Sequence, residues 1–188
     1  MNATIEDITK IFSQPLRLIA TFRPEASAAH DADARKQFLL AAIDAGASYV
    51  DIEVESDEAY RREIIERARL KDCKVIISFH DFHKTPEAEE LTGIVSRCFS
   101  EGADIAKIAC KVNFARDNIR LLNILDRDDF QSRTIVVGLG TQGRITRVAA
   151  PLLGSPFTFA PLSDEKKTAE GQIEKDTLEF ILKVLKDE

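Results

Sequence analysis

The sequence predicts an α/β protein built on a parallel sheet covered by helices. Three observations carry this. Segments apolar on both faces begin near residues 16, 49, 75, 104, 134 and 157. Each is followed by a stretch with apolar residues at helical spacing. The repeat of roughly 30 residues is the length of a strand–crossover–strand unit. Strands buried on both faces and alternating with helices belong in parallel sheets, because the crossovers lay helices over the surfaces. Two architectures answer to about six such units: an open doubly wound sheet, and an incomplete (β/α)8 barrel of the TIM type.

The elements follow in order. Residues 3–13 place Ile5, Ile8, Ile11 and Phe12 at helical spacing, and Pro15 ends the segment. Leu16 to Phe22 reads as a strand, with a loop from Arg23 to Asp31. Ala34 to Ala45 is an amphipathic helix stopped by Gly46, Tyr49 to Val54 a strand, and Glu58 to Leu70 a helix. After the strand Val75 to Phe79, Thr85-Pro86 has the form of an N-cap with a first-turn proline. That helix carries Leu91, Ile94, Val95 and Cys98 inward and stops near Gly102. The fourth strand surrounds Lys107, and a helix from about Asn113 to Leu125 follows. Thr134 to Leu139 is a strand, Arg147 to Leu153 a short helix, Phe157 to Phe159 a short strand, and Ile173 to Lys186 the closing helix. No linker or low-complexity tract divides the chain, so residues 1–188 are expected to form one domain.

Composition excludes several classes. The formal net charge of -6 and the lack of a basic run argue against a nucleic-acid or anionic-membrane surface. Cys73, Cys98 and Cys110 lie in apolar segments without a CxxC pair, which reads as buried thiols in a reducing compartment. No apolar stretch approaches the length of a membrane span, and the charged N-terminal residues do not form a leader, so the expected location is the cytoplasm.

Chemistry in parallel α/β folds gathers at the carboxyl ends of strands. Those ends collect Arg23, Asp51 with Glu53, His80 and Lys107. Each has an ordinary reading: Arg23 as a surface strand end, Asp51 and Glu53 as partners of a neighbouring cation, His80 as a structural histidine, Lys107 as an amine reaching solvent. Their convergence on one rim is what argues for function, because charged residues are rarely buried by chance. A lysine in an apolar strand has its ammonium form penalised by burial, and the free amine condenses with a ketone to a Schiff base. His80 on the preceding strand could then move a proton from the activated carbon. Gly138-Leu139-Gly140-Thr141-Gln142-Gly143 matches a dinucleotide fingerprint, yet it follows the fifth strand rather than the first. A loop of amides binding an anionic substrate group, with Arg147 supplying charge, is the better reading.

The residues also resemble a known family, the type I 3-dehydroquinate dehydratases. The resemblance rests on Thr21-Phe22-Arg23, Asp51-Ile52-Glu53, the run Ser78 to Pro86 around His80, and the run Gly102 to Ala109 around Lys107. It continues through Gly143 to Arg147, Gly154 to Phe159 and Thr168-Ala169-Glu170-Gly171-Gln172. It implies a (β/α)8 barrel, a homodimer, and no metal or cofactor. It also implies dehydration of 3-dehydroquinate to 3-dehydroshikimate, with Lys107 as the Schiff-base residue and His80 as the proton carrier. Arg147, Thr168, Gln172 and Arg23 would bind the substrate, with Asp51 and Glu53 in support.

Three departures from the family pattern stand out. The family's first two βα units are largely absent, since the chain begins near the second helix, and the Glu and Arg usual on the second strand have no counterpart here. The loop after Arg23 offers only Glu25 where a carboxylate usually orients the histidine. Glu170 stands where a proline is usual. Two other readings remain open at this point: a class I aldolase-type barrel enzyme, and a non-catalytic module completed by a partner chain.

Overall fold

In a computed structural model the chain is described over residues 4–23 and 32–186. Glu25 therefore lies outside the described residues. The described chain falls into two compact units. The first runs to Ser78 and takes in Phe99–Ile105; the second comprises Phe79–Cys98 and the chain from Ala106 onward.

In the first unit α1 (Ile5–Phe12), β1 (Ile19–Thr21), α2 (Ala32–Asp44), β2 (Tyr49–Glu53) and α3 (Glu58–Leu70) lead into β3 (Lys74–Asp81). A reciprocal capping box starts α1: the Thr4 N–H donates to Asp7 Oδ2 at 3.0 Å, and the Asp7 N–H donates to Thr4 Oγ1 at 3.2 Å. The helix turns Ile8 and Phe12 inward and packs on α2. β1, β2 and β3 pair in parallel, with Thr21 beside Asp51 and Glu53 beside Ser78. That register sets two pairs of polar residues side by side at the carboxyl ends.

The second unit holds the end of β3, then α4 (Ala88–Ser100), β4 (Ile105–Lys111), α5 (Ala115–Leu122), β5 (Thr134–Leu139), α6 (Arg144–Leu152) and α7 (Lys175–Lys186). β4 and β5 pair in parallel, Lys107 beside Ile135 and Lys111 beside Leu139. Ala106, Ile108, Cys110, Ile135 and Val136 are buried on these strands, with Leu121 of α5 and Ala150 of α6. The strand order is β1-β2-β3-β4-β5, the sequential order expected of a barrel built from successive βα units. All three cysteines are buried, and burial pushes the Cys73 and Cys110 thiols up to about 12. Among the described residues no helix is long and apolar enough to cross a membrane.

Three expectations are corrected. Five strands form among the described residues rather than six, because residues 157–159 do not join the sheet. The Ser155 hydroxyl takes the place of a neighbouring strand there: it donates to Thr134 O at 2.8 Å and accepts from the Val136 N–H at 3.3 Å. Thr85 does not cap α4, which begins at Ala88; its hydroxyl donates to Lys111 O at 2.8 Å and ties the loop to the end of β4. Helix α6 starts about one turn before the expected Arg147. Thr146 anchors that first turn to β5, donating to Gly143 O at 2.8 Å and accepting from the Gly138 N–H at 2.7 Å.

Candidate active site

In the first unit Arg23 stands two residues past β1 and is held by three groups. Its Nη2 lies 2.6 Å from Asp51 Oδ2, and its Nη1 lies 3.4 Å from Glu53 Oε1 and 2.9 Å from Ser78 Oγ. Ser78, fully buried, donates in turn to Asp51 Oδ1 at 2.6 Å. The period of two that puts Asp51 and Glu53 on one face of β2 makes this cluster possible. The guanidinium is thus fixed on the strand ends by charge-assisted bonds. Ser78 escaped the sequence reading, although its register beside Glu53 is what a parallel β2–β3 pair dictates.

The second unit contains His80, Lys107, Arg147, Thr168 and Gln172. His80 and Lys107 stand on β3 and β4, consecutive in the sheet order. His80 is half-buried, and its ring stacks against Phe82 with centroids 6.1 Å apart. Lys107 is half-buried between the buried residues Ala106 and Ile108, with Nζ 4.7 Å from the centre of the Phe159 ring. A cation is attracted to such a face. Phe159 therefore joins the site through its ring even though its backbone is not a strand.

Arg147 meets the same residue at its backbone, with Nη1 3.4 Å from Phe159 O. It projects from α6 into the interior and is 1 % exposed. Its Nε has no hydrogen-bond partner, and burial alone draws the guanidinium down to about 10. It remains charged at neutral pH, and among the described residues no carboxylate forms an ion pair with it. A buried cation kept in that condition is a standing anion-binding group.

Thr168 and Gln172 close on each other. Gln172 Oε1 accepts from the Thr168 N–H at 2.7 Å and the Ala169 N–H at 3.2 Å, while its Nε2 donates to Thr168 Oγ1 at 3.3 Å. The amide group thereby shapes the 168–172 segment from within.

The glycine-rich turn after β5 is a packing feature. A Cβ on Gly143 would lie 2.4 Å from Gly138 O, so the backbones approach as only glycine permits. The amides of Gly138, Gly140 and Gly143 donate to Thr146 Oγ1, Glu170 O and Gly140 O respectively. The expected cradle of amides for a substrate anion is therefore already filled at these three positions, and the anion-binding charge rests with Arg147.

Parallel strands in sequential order, alternating with helices, are the arrangement of barrel-type α/β enzymes. Comparison with known proteins makes the class specific. The type I 3-dehydroquinase family model matches residues 1–188, and the chain belongs to that family. It is 34% identical over 192 residues to a 3-dehydroquinate dehydratase of Methanococcus maripaludis, covering 98% of this chain and 83% of the relative. It is 34% identical to that of Methanosarcina mazei, covering 78% of this chain and 61% of the relative. Among solved structures, type I 3-dehydroquinate dehydratase from Clostridium difficile, with covalently modified comenic acid, superposes with a TM-score of 0.85 at 27% identity. That match covers 98% of this chain and 76% of the other.

Proposed function

We propose that this chain dehydrates 3-dehydroquinate to 3-dehydroshikimate through a Schiff base on Lys107, in the biosynthesis of aromatic compounds. The observation that carries the reading is the buried, unbalanced Arg147 guanidinium, which shares Phe159 with Lys107. The substrate has a carboxylate for the one and a ketone for the other.

In this reading the Lys107 amine adds to the C3 ketone and expels water, giving an iminium that draws electrons from the adjacent C2–H bond. His80 removes the C2 proton, leaving an enamine. The enamine expels the C1 hydroxyl, to which His80 returns the proton as water departs. Hydrolysis of the conjugated iminium frees the amine and the product. Arg147 holds the C1 carboxylate by a paired bond that lysine could not reproduce. Thr168, Gln172 and Arg23 complete substrate binding, with Asp51 and Glu53 holding Arg23. The family resemblance adds a homodimer and no metal or cofactor; the sequence pattern adds a cytoplasmic location and one barrel-type domain over residues 1–188.

Borohydride reduction in the presence of 3-dehydroquinate tests the covalent step. Reduction of the iminium should leave a stable adduct, and peptide mass spectrometry should place it on Lys107. A protein that stays unmodified at Lys107, or is modified elsewhere, refutes the assignment.

A further inference from the structure

Lys111 and Glu170 have no part in the chemistry above, and each occupies a mechanical position. Lys111 is the last residue of β4, four residues past Lys107 and on the same face of the strand. Its Nζ lies 2.8 Å from Glu170 Oε2. The other carboxylate oxygen, Oε1, accepts from Thr141 Oγ1 at 3.2 Å, so both oxygens are engaged. The Glu170 carbonyl accepts from the Gly140 N–H at 3.2 Å. Next to it Gly171 has a φ of +84°, and a Cβ there would meet Gly140 O at 2.2 Å. The 168–172 segment thus lies directly on the turn after β5, tied by one backbone bond, the Thr141 hydroxyl and one ion pair.

An exposed ion pair ordinarily contributes little to stability. This pair is placed to do something else, because the segment it ties carries Thr168 and Gln172 at its ends. We propose that Lys111 and Glu170 are positioning residues: an electrostatic latch that holds the 168–172 segment against the β4 and β5 strand ends and so sets how tightly Thr168 and Gln172 engage the substrate. The latch contributes binding rather than chemistry, and its effect falls on KM. This role rests on the dehydratase reading given above, whereas the latch contact itself does not.

The test uses the full chain with Lys111→Met, Glu170→Gln and the exchanged pair Lys111→Glu with Glu170→Lys. With 3-dehydroquinate as substrate, each single variant should raise KM about two- to five-fold, the range an exposed ion pair supports, with kcat unreduced. The exchanged pair should recover most of that loss. At about 1 M salt, where the Debye length falls to about 3 Å, the gap between the parent and Lys111→Met should close. Hydrogen exchange gives a readout independent of turnover: the amides of Gly140 and Ala169 should exchange faster in both single variants and regain protection in the exchanged pair. Unchanged KM and unchanged exchange in the single variants overturn the latch, as does an exchanged pair no better than the singles. Faster exchange in a protein that does not turn over 3-dehydroquinate supports the latch and refutes the dehydratase reading instead.

Discussion

Arg147 is stabilising for function and destabilising for the fold. Its guanidinium is charged in both folded and unfolded chains at neutral pH, so burial, which draws it from the usual arginine range down to about 10, corresponds to a cost of folding of roughly 3 kcal/mol. The sign follows from proton binding. Above about pH 10 and up to the ordinary arginine range the unfolded chain holds this proton more tightly, so the cost is constant below that window and relieved within it. Arg147→Met, with similar volume and no charge, should melt at the same temperature as the parent or higher by differential scanning fluorimetry. The same variant should lose binding of 3-dehydroquinate by about ten-fold or more, the scale of a lost charge-assisted hydrogen bond. A large fall in melting temperature would mean that the guanidinium is a structural member rather than a waiting anion site.

At the scale of elements, Ser155 shows how one hydroxyl replaces part of a strand. It meets a backbone carbonyl and a backbone N–H of β5, and it is 6 % exposed. Ser155→Ala should therefore cost about 2 kcal/mol in chemical denaturation, the penalty for leaving buried polar groups without partners; a change within error would show that water reaches that edge. This substitution of side chain for backbone is also why a sixth strand was misread. The apolar run Phe157 to Phe159 looks like a strand from its pattern, and nothing in the pattern tells that Ser155 has occupied the adjoining positions. The same holds for Thr85, whose hydroxyl serves β4 instead of the helix that follows it. The other five strands were legible because each is a short, largely apolar run bounded by turn residues and followed by a stretch at helical spacing. Of the candidate site, Lys107, His80 and Arg147 were legible as charges inside apolar segments or specific motifs. Lys111 paired with Glu170 was not, because an exposed Lys and Glu 59 residues apart have no signature. Ser78 and Phe159 lie within motifs of the family resemblance, but their contacts with Arg23 and Lys107 follow only from register and approach.

For the whole molecule, ligand linkage gives the broadest check. A ligand that binds only the folded chain stabilises it by about 2.7 kcal/mol at a hundred times its dissociation constant. 3-Dehydroquinate should accordingly raise the melting temperature, whereas NAD(H) should leave it unchanged, since the Gly138–Gly143 turn has three of its amides committed within the protein. A shift with the nucleotide alone would reverse the functional reading. That turn also constrains how the chain can change over time. With 2.4 Å between the Gly143 Cβ position and Gly138 O, and 2.8 Å between the Gly138 Cβ position and Gly143 Cα, each glycine blocks a side chain on the other. Replacing either one alone forces the backbone of β5 away from the start of α6, and the helix that carries Arg147 moves with it. Because each clash is with main-chain atoms, neither position can gain a side chain by a neighbouring side chain giving way, and a second substitution at the other glycine would not relieve the first.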